Sequence, residues 1–341
     1  MMKYYMKIWP LWILCLLFIS CDKEEIPDPF YYDREVIAVF PPEGIEPHTF
    51  SGLVYQGLYK VTDSLKLFFR PVLPATYDEG LKILEQLAAY DQQGSNRLII
   101  VADPTYVDDL VNKGMADKML NTDSTKVLVL GAYTNHRKLY NAHIPLYGVM
   151  YKAGYIAGKM HDVDSVSLFL ATDQYAYYKE ASDGFIQGYR QSGKNKLKVD
   201  NLGTTLSNHR KGFNYSQEAY ALYAPRYAKS SDLVMPICRE SAMGFYRYNR
   251  EYPGAFYTIG MDNDMSVYAN DVPYSCVSQW EEVAVSVVSD WSRNRLKRSY
   301  KYGLKEGGTI IVAGEKYQEI IQPLSEEIHH EAIQKETKYT R

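Results

Sequence analysis

Short apolar runs alternate with helix-forming segments along most of this chain, and this alternation limits its fold more than any other feature. EVIAVF (35–40), RLIIVAD (97–103) and KVLVLGA (126–132) are such runs, and YDEGLKILEQLAAY (77–90) has leucines three and four residues apart. Apolar runs joined by amphipathic helices are typical of parallel strands covered on both faces. The sequence therefore predicts an α/β fold built on parallel sheets.

The same alternation restarts in the second half of the chain. Strands are predicted at 165–171, 196–202, 232–238 and 255–261, with a long helix over roughly 281–301. A chain of 341 residues is long enough for two cores of this kind. Two βα series therefore predict two doubly wound lobes.

The first residues form a targeting segment and not part of the fold. Two lysines precede an apolar run (8–19), which is followed by Ser20 and Cys21. A small residue directly before the cysteine resembles a bacterial lipobox, which predicts a signal peptide (1–20), a lipidated Cys21 and an acidic tether (21–33). The protein is then exported and anchored to the cell envelope by lipid. A plain N-terminal anchor helix is the alternative.

Composition and motifs exclude several classes of function. A formal net charge of −3 with 23% charged residues argues against a nucleic-acid partner. The seven histidines show no metal-binding spacing, no motif predicts a cofactor, and neither a nucleophile elbow nor a phosphate-binding loop is present. Strand-end acids at Asp103, Asp173 and Asp262 leave glycosidic cleavage as a weaker alternative. No enzyme is predicted, and Cys238 and Cys276 are expected to be buried thiols more than a disulfide.

The stretch FYTIGMDNDM (256–265) marks a candidate ligand site. Its apolar run ends at Gly260, and Asp262 and Asp264 follow almost at once. Ligands of open parallel sheets bind beyond the carboxyl ends of the strands. Asp262 is therefore predicted to face a cleft, whereas Asp264 is predicted to cap the following turn.

Several stretches together resemble the basic membrane protein (BMP) family of substrate-binding lipoproteins, which includes purine nucleoside receptor and Med-type proteins. The resemblance covers about residues 34–315, and no single motif in it is decisive. The matching stretches occur in the family's order: FSGLVYQGL (50–58), GVMYKAGYIAGKM (148–160), ASDGFIQGYRQ (181–191), SDLVMPICRESAMGFY (231–246) with the family's small-residue loop, TIGMDND (258–264) matching its "iGvDsD" turn, and YGLKEGG (302–308).

This resemblance implies a type I periplasmic binding protein, with two doubly wound lobes joined by a hinge of three crossings. The expected first lobe is 34–146 plus 280–302, and the expected second lobe is 147–279 plus 303–328. The Lys- and Glu-rich end of the chain (325–341) is expected to be a frayed helix or a tail, with residues 329–341 placed outside both lobes as the tail. The resemblance also implies an ABC-type membrane transporter as a partner.

The resemblance further implies ligand-binding residues. The acid of the family's turn holds ribose hydroxyls in nucleoside-binding members, and that role is carried over to Asp262. A carboxylate suits a vicinal diol because its two oxygens can accept two hydrogen bonds. The remaining candidates line or stack on the ligand (Phe50, Tyr175, Phe213) or offer it polar groups (His48, Ser51, Asn208, Gln279).

Departures from the family pattern affect the expected ligand. Where the family reads "DkSFN", this chain has PHTFS, so that Pro47 replaces the acid and Ser51 replaces the amide; Gln279 replaces a lysine. We therefore expect a lipid-anchored protein that captures a nucleoside-like or sugar-like small molecule for uptake. The alternative is a surface interaction or sensory lipoprotein that keeps the fold and has no role in transport.

Overall fold

The structure, a computed structural model, describes residues 34–89, 96–202 and 212–340. The strands in these residues are β1 (Arg34–Val39), β2 (Phe68–Val72), β3 (Asn96–Val101), β4 (Thr125–Leu130), β5 (Leu139–His143), β6 (Val166–Leu170), β7 (Leu197–Asn201), β8 (Leu233–Ile237), β9 (Tyr257–Thr258), β10 (Gly260–Asp262), β11 (Tyr274–Ser278), β12 (Ser299–Lys301) and β13 (Thr309–Ala313). The signal peptide, the tether, Cys21 and Asn208 lie outside the described residues.

The α-helices of the same residues are α1 (Phe50–Leu65), α2 (Tyr77–Ala89), α3 (Thr105–Asn112), α4 (Met115–Lys118), α5 (Tyr147–Lys159), α6 (Ala176–Gln191), α7 (Ser216–Glu218), α8 (Ala224–Tyr227), α9 (Ala242–Glu251), α10 (Trp280–Ser292), α11 (Gln318–Glu327) and α12 (His329–Tyr339). A π-helical segment (Ala219–Tyr223) joins α7 to α8.

The first lobe is a six-stranded parallel sheet in the order β12-β5-β4-β3-β1-β2. Alternate side chains of each strand point to opposite faces, so Val36 packs in the core that contains α1 and α10, whereas Ile37 packs in the core under α2 and α3. Both faces of the sheet are therefore covered, as the continuous apolar runs predicted.

The second lobe departs from a single doubly wound sheet. Its strands form a four-stranded parallel sheet (β7-β6-β8-β9) and a separate three-stranded sheet (β10-β11-β13), in which β13 runs antiparallel to β11. The strand predicted at 255–261 is divided, because β9 pairs with β8 and β10 pairs with β11. This division places Asp262 at the end of a short strand of its own.

The chain passes between the two lobes three times. It leaves the first sheet after β5 and enters α5, returns from β11 to α10, and leaves again from β12 toward β13. Two lobes with three crossings form the type I periplasmic binding protein fold, so the predicted fold class is confirmed.

Helices α5 and α6 approach closely through glycines. A Cβ on Gly154 would lie 2.0 Å from the backbone oxygen of Phe185, and a Cβ on Gly188 would lie 1.9 Å from that of Tyr151. These glycines allow the two helices to pack directly against each other, which explains why both helices carry them.

The end of the chain is not a tail. Residues His329–Tyr339 form α12, where Ala332 is fully buried and Glu336 is 4% exposed. The Tyr151 hydroxyl of α5 donates to Glu331 (2.7 Å), and the backbone N–H of Gly148 donates to Glu336 (3.1 Å). A frayed helix was one of the two expectations for this end; its docking was not expected, because its polar residues contact α5, which lies far away in sequence. His329 is partly buried.

Two smaller points concern the cysteines and the membrane. Cys238 and Cys276 are buried free thiols, as predicted. Within the described part of the chain, no helix combines the length and the apolar character needed to cross a bilayer.

Candidate functional site

Arg239 joins the two lobes at the ends of their strands. It follows β8 in the second lobe, and its guanidinium donates to Asp103, which follows β3 in the first lobe. It also donates to Glu43 Oε2 (3.3 Å), which follows β1, and to the Tyr178 hydroxyl. The guanidinium carbon lies 4.4 Å from the centre of the Phe213 ring. One side chain therefore fills the middle of the cleft.

The backbone and surroundings of Arg239 are both unusual. Its φ is +51°, a left-handed conformation that costs a non-glycine residue free energy. Burial lowers the pKa of Arg239, but the carboxylates of Asp103 and Glu43 raise it well above its ordinary value. Glu240 is the opposite case: burial raises its pKa to about 8, so that its carboxyl group is protonated at neutral pH. The buried charge is thus one cation shared between two carboxylates.

Asp262 lies beside this cluster with an unused oxygen. The residue is 9% exposed and has a φ of +66°, and its Oδ1 has no hydrogen-bond partner among the described residues. Burial raises the pKa of Asp262 to about 6, although Arg239 and the backbone N–H of Phe50 act to lower it. Buried carboxylate oxygens are normally hydrogen-bonded, so this one is available to a ligand.

Two more polar atoms near Asp262 lack partners. Tyr177 Oη and Trp280 Nε1 are buried, and neither forms a hydrogen bond of ordinary geometry within the described ranges. The Phe50 ring contacts both residues edge-on, at centroid distances of 6.4 Å and 4.8 Å. Burial and the charge of Asp262 raise the pKa of Tyr177 well above its usual value, while the neighbouring Trp280 indole lowers it. The Tyr177 hydroxyl and the Trp280 N–H group therefore belong to residues that pack on one aromatic ring, and the backbone of the same phenylalanine donates to Asp262.

The space next to Asp262 is small in this structure. We call it the inner chamber; it is bordered by His48, Arg239, Met243 and Asp262 and has a volume of about 20 Å³. That volume can hold about one water molecule. His48 Nδ1 and the side-chain amide of Asn263 are hydrogen-bonded across the cleft (3.0 Å). The lobes are thus closed at this point.

The predicted site residues divide into three groups. His48 and Asp262 line the inner chamber, and Phe50 is linked to it through its backbone N–H, which donates to Asp262. Tyr175 and Phe213 contact each other (6.2 Å between centroids) on the side of Arg239. Ser51 is buried in the first turn of α1, and Gln279 is half-buried at a hinge crossing. The ligand roles of all these residues stay predictions, and Asn208 is not described.

Asp264 and Asp103 have structural roles. Asp264 Oδ1 accepts from the backbone N–H of Ser266 (3.0 Å), which is the predicted turn cap. Asp103 accepts from Thr105 (2.8 Å) and pairs with Arg239, whereas Asp173 is exposed. This arrangement gives no support to a carboxylate pair for glycosidic cleavage.

Sequence reasoning assigned no role to Arg239, Glu43, Tyr177 or Tyr178. The sequence contained one signal for Arg239. It is followed by Glu240 in a loop where the BMP family has small residues. Arg239 bonds to Tyr178 and Glu43, which lie more than 60 residues away from it in sequence, so pattern alone could not pair them.

The comparisons with known proteins agree with this architecture. A family model described as ABC transporter substrate-binding protein PnrA-like matches residues 34–340. The chain belongs to the Bmp family. Members of this family are substrate-binding proteins, and the BMP resemblance predicted from sequence is confirmed.

Individual relatives of this Bmp-family chain are distant. Basic membrane protein C of Borreliella burgdorferi (strain N40) is 28% identical over 164 residues, which is 47% of this chain and 44% of the relative. A solute-binding protein of an ABC transporter system from Aeropyrum pernix has a TM-score of 0.69 at 13% identity, with 89% of each chain covered. A transcriptional activator of the comK gene from Bacillus halodurans has a TM-score of 0.61 at 14% identity, covering 87% of this chain and 97% of the other. At such identities the two structures are similar in fold alone.

Proposed function

We propose that this Bmp-family protein captures a small polar ligand, nucleoside-like or sugar-like, between its two lobes and delivers it to an ABC-type membrane transporter. The observation that carries the proposal is a group of three buried polar atoms, Asp262 Oδ1, Tyr177 Oη and Trp280 Nε1, that have no hydrogen-bond partner of ordinary geometry within the described residues. The Phe50 ring contacts Tyr177 and Trp280 edge-on, and the backbone N–H of Phe50 donates to Asp262. A ring with hydroxyl groups matches this set, since the aromatic face packs against the ring and the polar atoms bind its edge.

Ligand entry requires the lobes to separate. The inner chamber of about 20 Å³ is far smaller than a nucleoside or a sugar. Opening breaks the contacts of Arg239 with Asp103 and Glu43 and the contact between His48 and Asn263. The ligand then replaces these contacts when the hinge closes again, as in other two-lobed binding proteins.

The test is binding of nucleosides and sugars to the mature protein. Adenosine, inosine, uridine and D-ribose are screened by thermal shift, and any ligand found is titrated calorimetrically against Asp262→Ala. We expect at least a tenfold loss of affinity, because a charge-assisted hydrogen bond contributes about 1.5–3 kcal/mol and about 1.4 kcal/mol corresponds to a factor of ten. Asp264→Ala is the matched control, because Asp264 caps a turn two residues away. Equal affinity in the wild type and Asp262→Ala would show that Asp262 does not bind the ligand.

One observation favours the second candidate, a surface interaction or sensory lipoprotein. The side chain of Arg239 lies in the cleft and bonds to Asp103 and Glu43 of the other lobe. If these contacts of Arg239 keep the two lobes together, the outer surface of the protein has a fixed shape that a partner protein can recognise. No response to any nucleoside or sugar, by thermal shift or calorimetry, favours this candidate.

The lipid anchor is part of the proposal. Ser20 before Cys21 supports lipidation and export to the cell envelope. Expression of the full chain in a bacterial host, followed by detergent phase separation, checks it. We expect the wild type in the detergent phase, and Cys21→Ala to lose the lipid-bearing form; identical partitioning of both would contradict the anchor.

A further inference from the structure

A second space between the lobes lies near the hinge crossings. We call it the hinge cavity; its volume is about 530 Å³, within the range of about 300–1,000 Å³ found for small-molecule sites. The first lobe contributes Tyr133 and His143, the second lobe contributes Tyr175 and Glu180, and α12 contributes Tyr339. The cavity is thus bordered by both lobes and by the end of the chain, and it is large enough for a ligand in the closed arrangement.

A buried pair of polar groups in its wall comes from different lobes. His143 ends β5, Glu180 lies on α6, and their side chains are 11% and 9% exposed. The distance between His143 Nε2 and Glu180 Oε2 is 3.7 Å, which is too long for a hydrogen bond. The other oxygen of Glu180 accepts from the backbone N–H of Tyr147 (3.3 Å), which fixes the orientation of the carboxylate.

This geometry suits a hydroxyl group. A hydroxyl can accept from a ring N–H and donate to a carboxylate at the same time. A ligand hydroxyl placed against both His143 Nε2 and Glu180 Oε2 would supply the contact that the two side chains do not make directly. Because the two residues belong to different lobes, such a hydroxyl also links the lobes.

The rest of the wall indicates a neutral ligand with a flat face. Tyr133 is 58% exposed, and its ring centre lies 6.4 Å from that of His143. Lys179 pairs with Asp183 (2.7 Å), whereas Lys301 donates to the neutral hydroxyl of Thr340 (2.6 Å) and keeps its charge. The carboxyl groups of Asp108 and Glu180 also border the cavity, so the wall has no excess of positive charge that would select an anion. An aromatic face beside a hydroxyl-binding pair is the combination that binds sugar rings and cyclic polyols.

We propose that the hinge cavity is a ligand site, separate from the inner chamber, that binds a neutral hydroxyl-rich ring of monosaccharide size. The inference rests on the proposed function in one respect, that the lobes close around a small molecule, and it does not involve Asp262. Tyr177 borders the hinge cavity and packs against Phe50, whose backbone N–H donates to Asp262 at the inner chamber, so the two sites are neighbours within one cleft.

The experiment is calorimetric titration of the mature protein with D-glucose, D-galactose, D-ribose and myo-inositol. We expect at least one to bind, with a loss of at least tenfold in Glu180→Gln, which keeps the shape and removes the charge. Tyr133→Ala should weaken the same binding, and because Tyr133 is exposed this variant should fold normally. Tyr252→Ala, an exposed tyrosine elsewhere (52%), is the control.

The outcomes separate this inference from the proposed function. Binding that is weakened by Glu180→Gln and Tyr133→Ala and unchanged by Asp262→Ala supports the hinge cavity. Binding that is lost in Asp262→Ala and unchanged in Glu180→Gln and Tyr133→Ala overturns it and leaves the proposed function intact. Absence of binding by all four compounds to the wild type also overturns it.

Discussion

Arg239 and Asp103 belong to different lobes and form a buried ion pair in the middle of the cleft. Their side chains are 6% and 0% exposed, so water screens their attraction little. Removing one partner of a buried ion pair is strongly destabilising, because the remaining charge is then buried without a counterion. The pair therefore acts as a latch between the lobes, and a ligand must compete with it.

Replacing Arg239 should release this latch. In Arg239→Ala, Asp103 and Glu43 lose their cation, and we expect the free energy of unfolding to fall by about 3–5 kcal/mol. The radius of gyration from small-angle X-ray scattering should increase as the lobes separate. Arg247→Ala is the control, since Arg247 forms an exposed pair with Glu251 within one helix, and it should change neither quantity appreciably. An unchanged radius in Arg239→Ala would contradict the latch.

Asp262 should destabilise the protein when no ligand is bound. Its folded pKa of about 6 lies above the ordinary value of 3.8, so the wild type should lose stability as the pH rises from about 4 to 6. Asp262→Asn cannot ionise, and at pH 7 its free energy of unfolding should exceed that of the wild type by on the order of 1–3 kcal/mol, since one pKa unit corresponds to about 1.4 kcal/mol.

Denaturant titrations at several pH values check this. The difference in free energy of unfolding between Asp262→Asn and the wild type should disappear near pH 4, where the side chain at this position is neutral in both folded proteins. Parallel pH profiles for the two proteins would mean that the carboxylate is not desolvated in solution.

The neighbouring tyrosines Tyr177 and Tyr178 should respond in opposite ways to loss of their hydroxyls. Tyr178 Oη accepts from Arg239, so Tyr178→Phe leaves a buried donor unsatisfied and should cost about 1–3 kcal/mol. The Tyr177 hydroxyl is buried without a partner in the described residues, so Tyr177→Phe should leave stability unchanged or raise it. Chemical denaturation of the two variants side by side measures the difference. A greater loss in Tyr177→Phe would show that its hydroxyl has a partner in solution.

Helix α12 should be held chiefly by Glu336. Its carboxylate accepts from the backbone N–H groups of Gly148 (3.1 Å) and Leu304 (2.9 Å), although burial raises its pKa to about 7. Glu336→Ala should lower the free energy of unfolding by about 1–3 kcal/mol, because two buried donors lose their acceptor. Hydrogen exchange along α5 should become faster. Gln334→Ala, an exposed change on the same helix, should have neither effect.

The pattern of apolar runs predicted the two-lobed α/β fold because strand burial on both faces is a local property of the sequence. The same reasoning placed Asp262 at the end of a strand and Asp264 in a cap, since both follow from short-range turn chemistry. Arg239 could not be predicted, because its acidic partners, Asp103 and Glu43, are contributed by loops of the other lobe. The division of residues 255–261 between two sheets was missed for a related reason: strand pairing, and not propensity, decides it.

The docking of α12 was not predicted because it comes from tertiary contacts. Glu331 and Glu336 are ordinary surface residues by composition, but Tyr151 of α5 donates to Glu331 and the backbone N–H of Leu304, after β12, donates to Glu336. Sequence patterns indicate the secondary structure that a segment prefers in isolation. Helix α12 is stabilised in addition by contacts with residues that are distant in sequence.

The position of α12 affects how the protein can be labelled. Near the end of the chain, Thr340 accepts from Lys301 on β12 of the first lobe, while Tyr339 donates to Asp183 on α6 of the second lobe. A fluorophore attached at the carboxyl terminus would therefore lie where the spacing of the lobes changes, and its emission could follow hinge motion in real time. A bulky purification tag fused there would obstruct that motion, so affinity handles belong elsewhere on the chain.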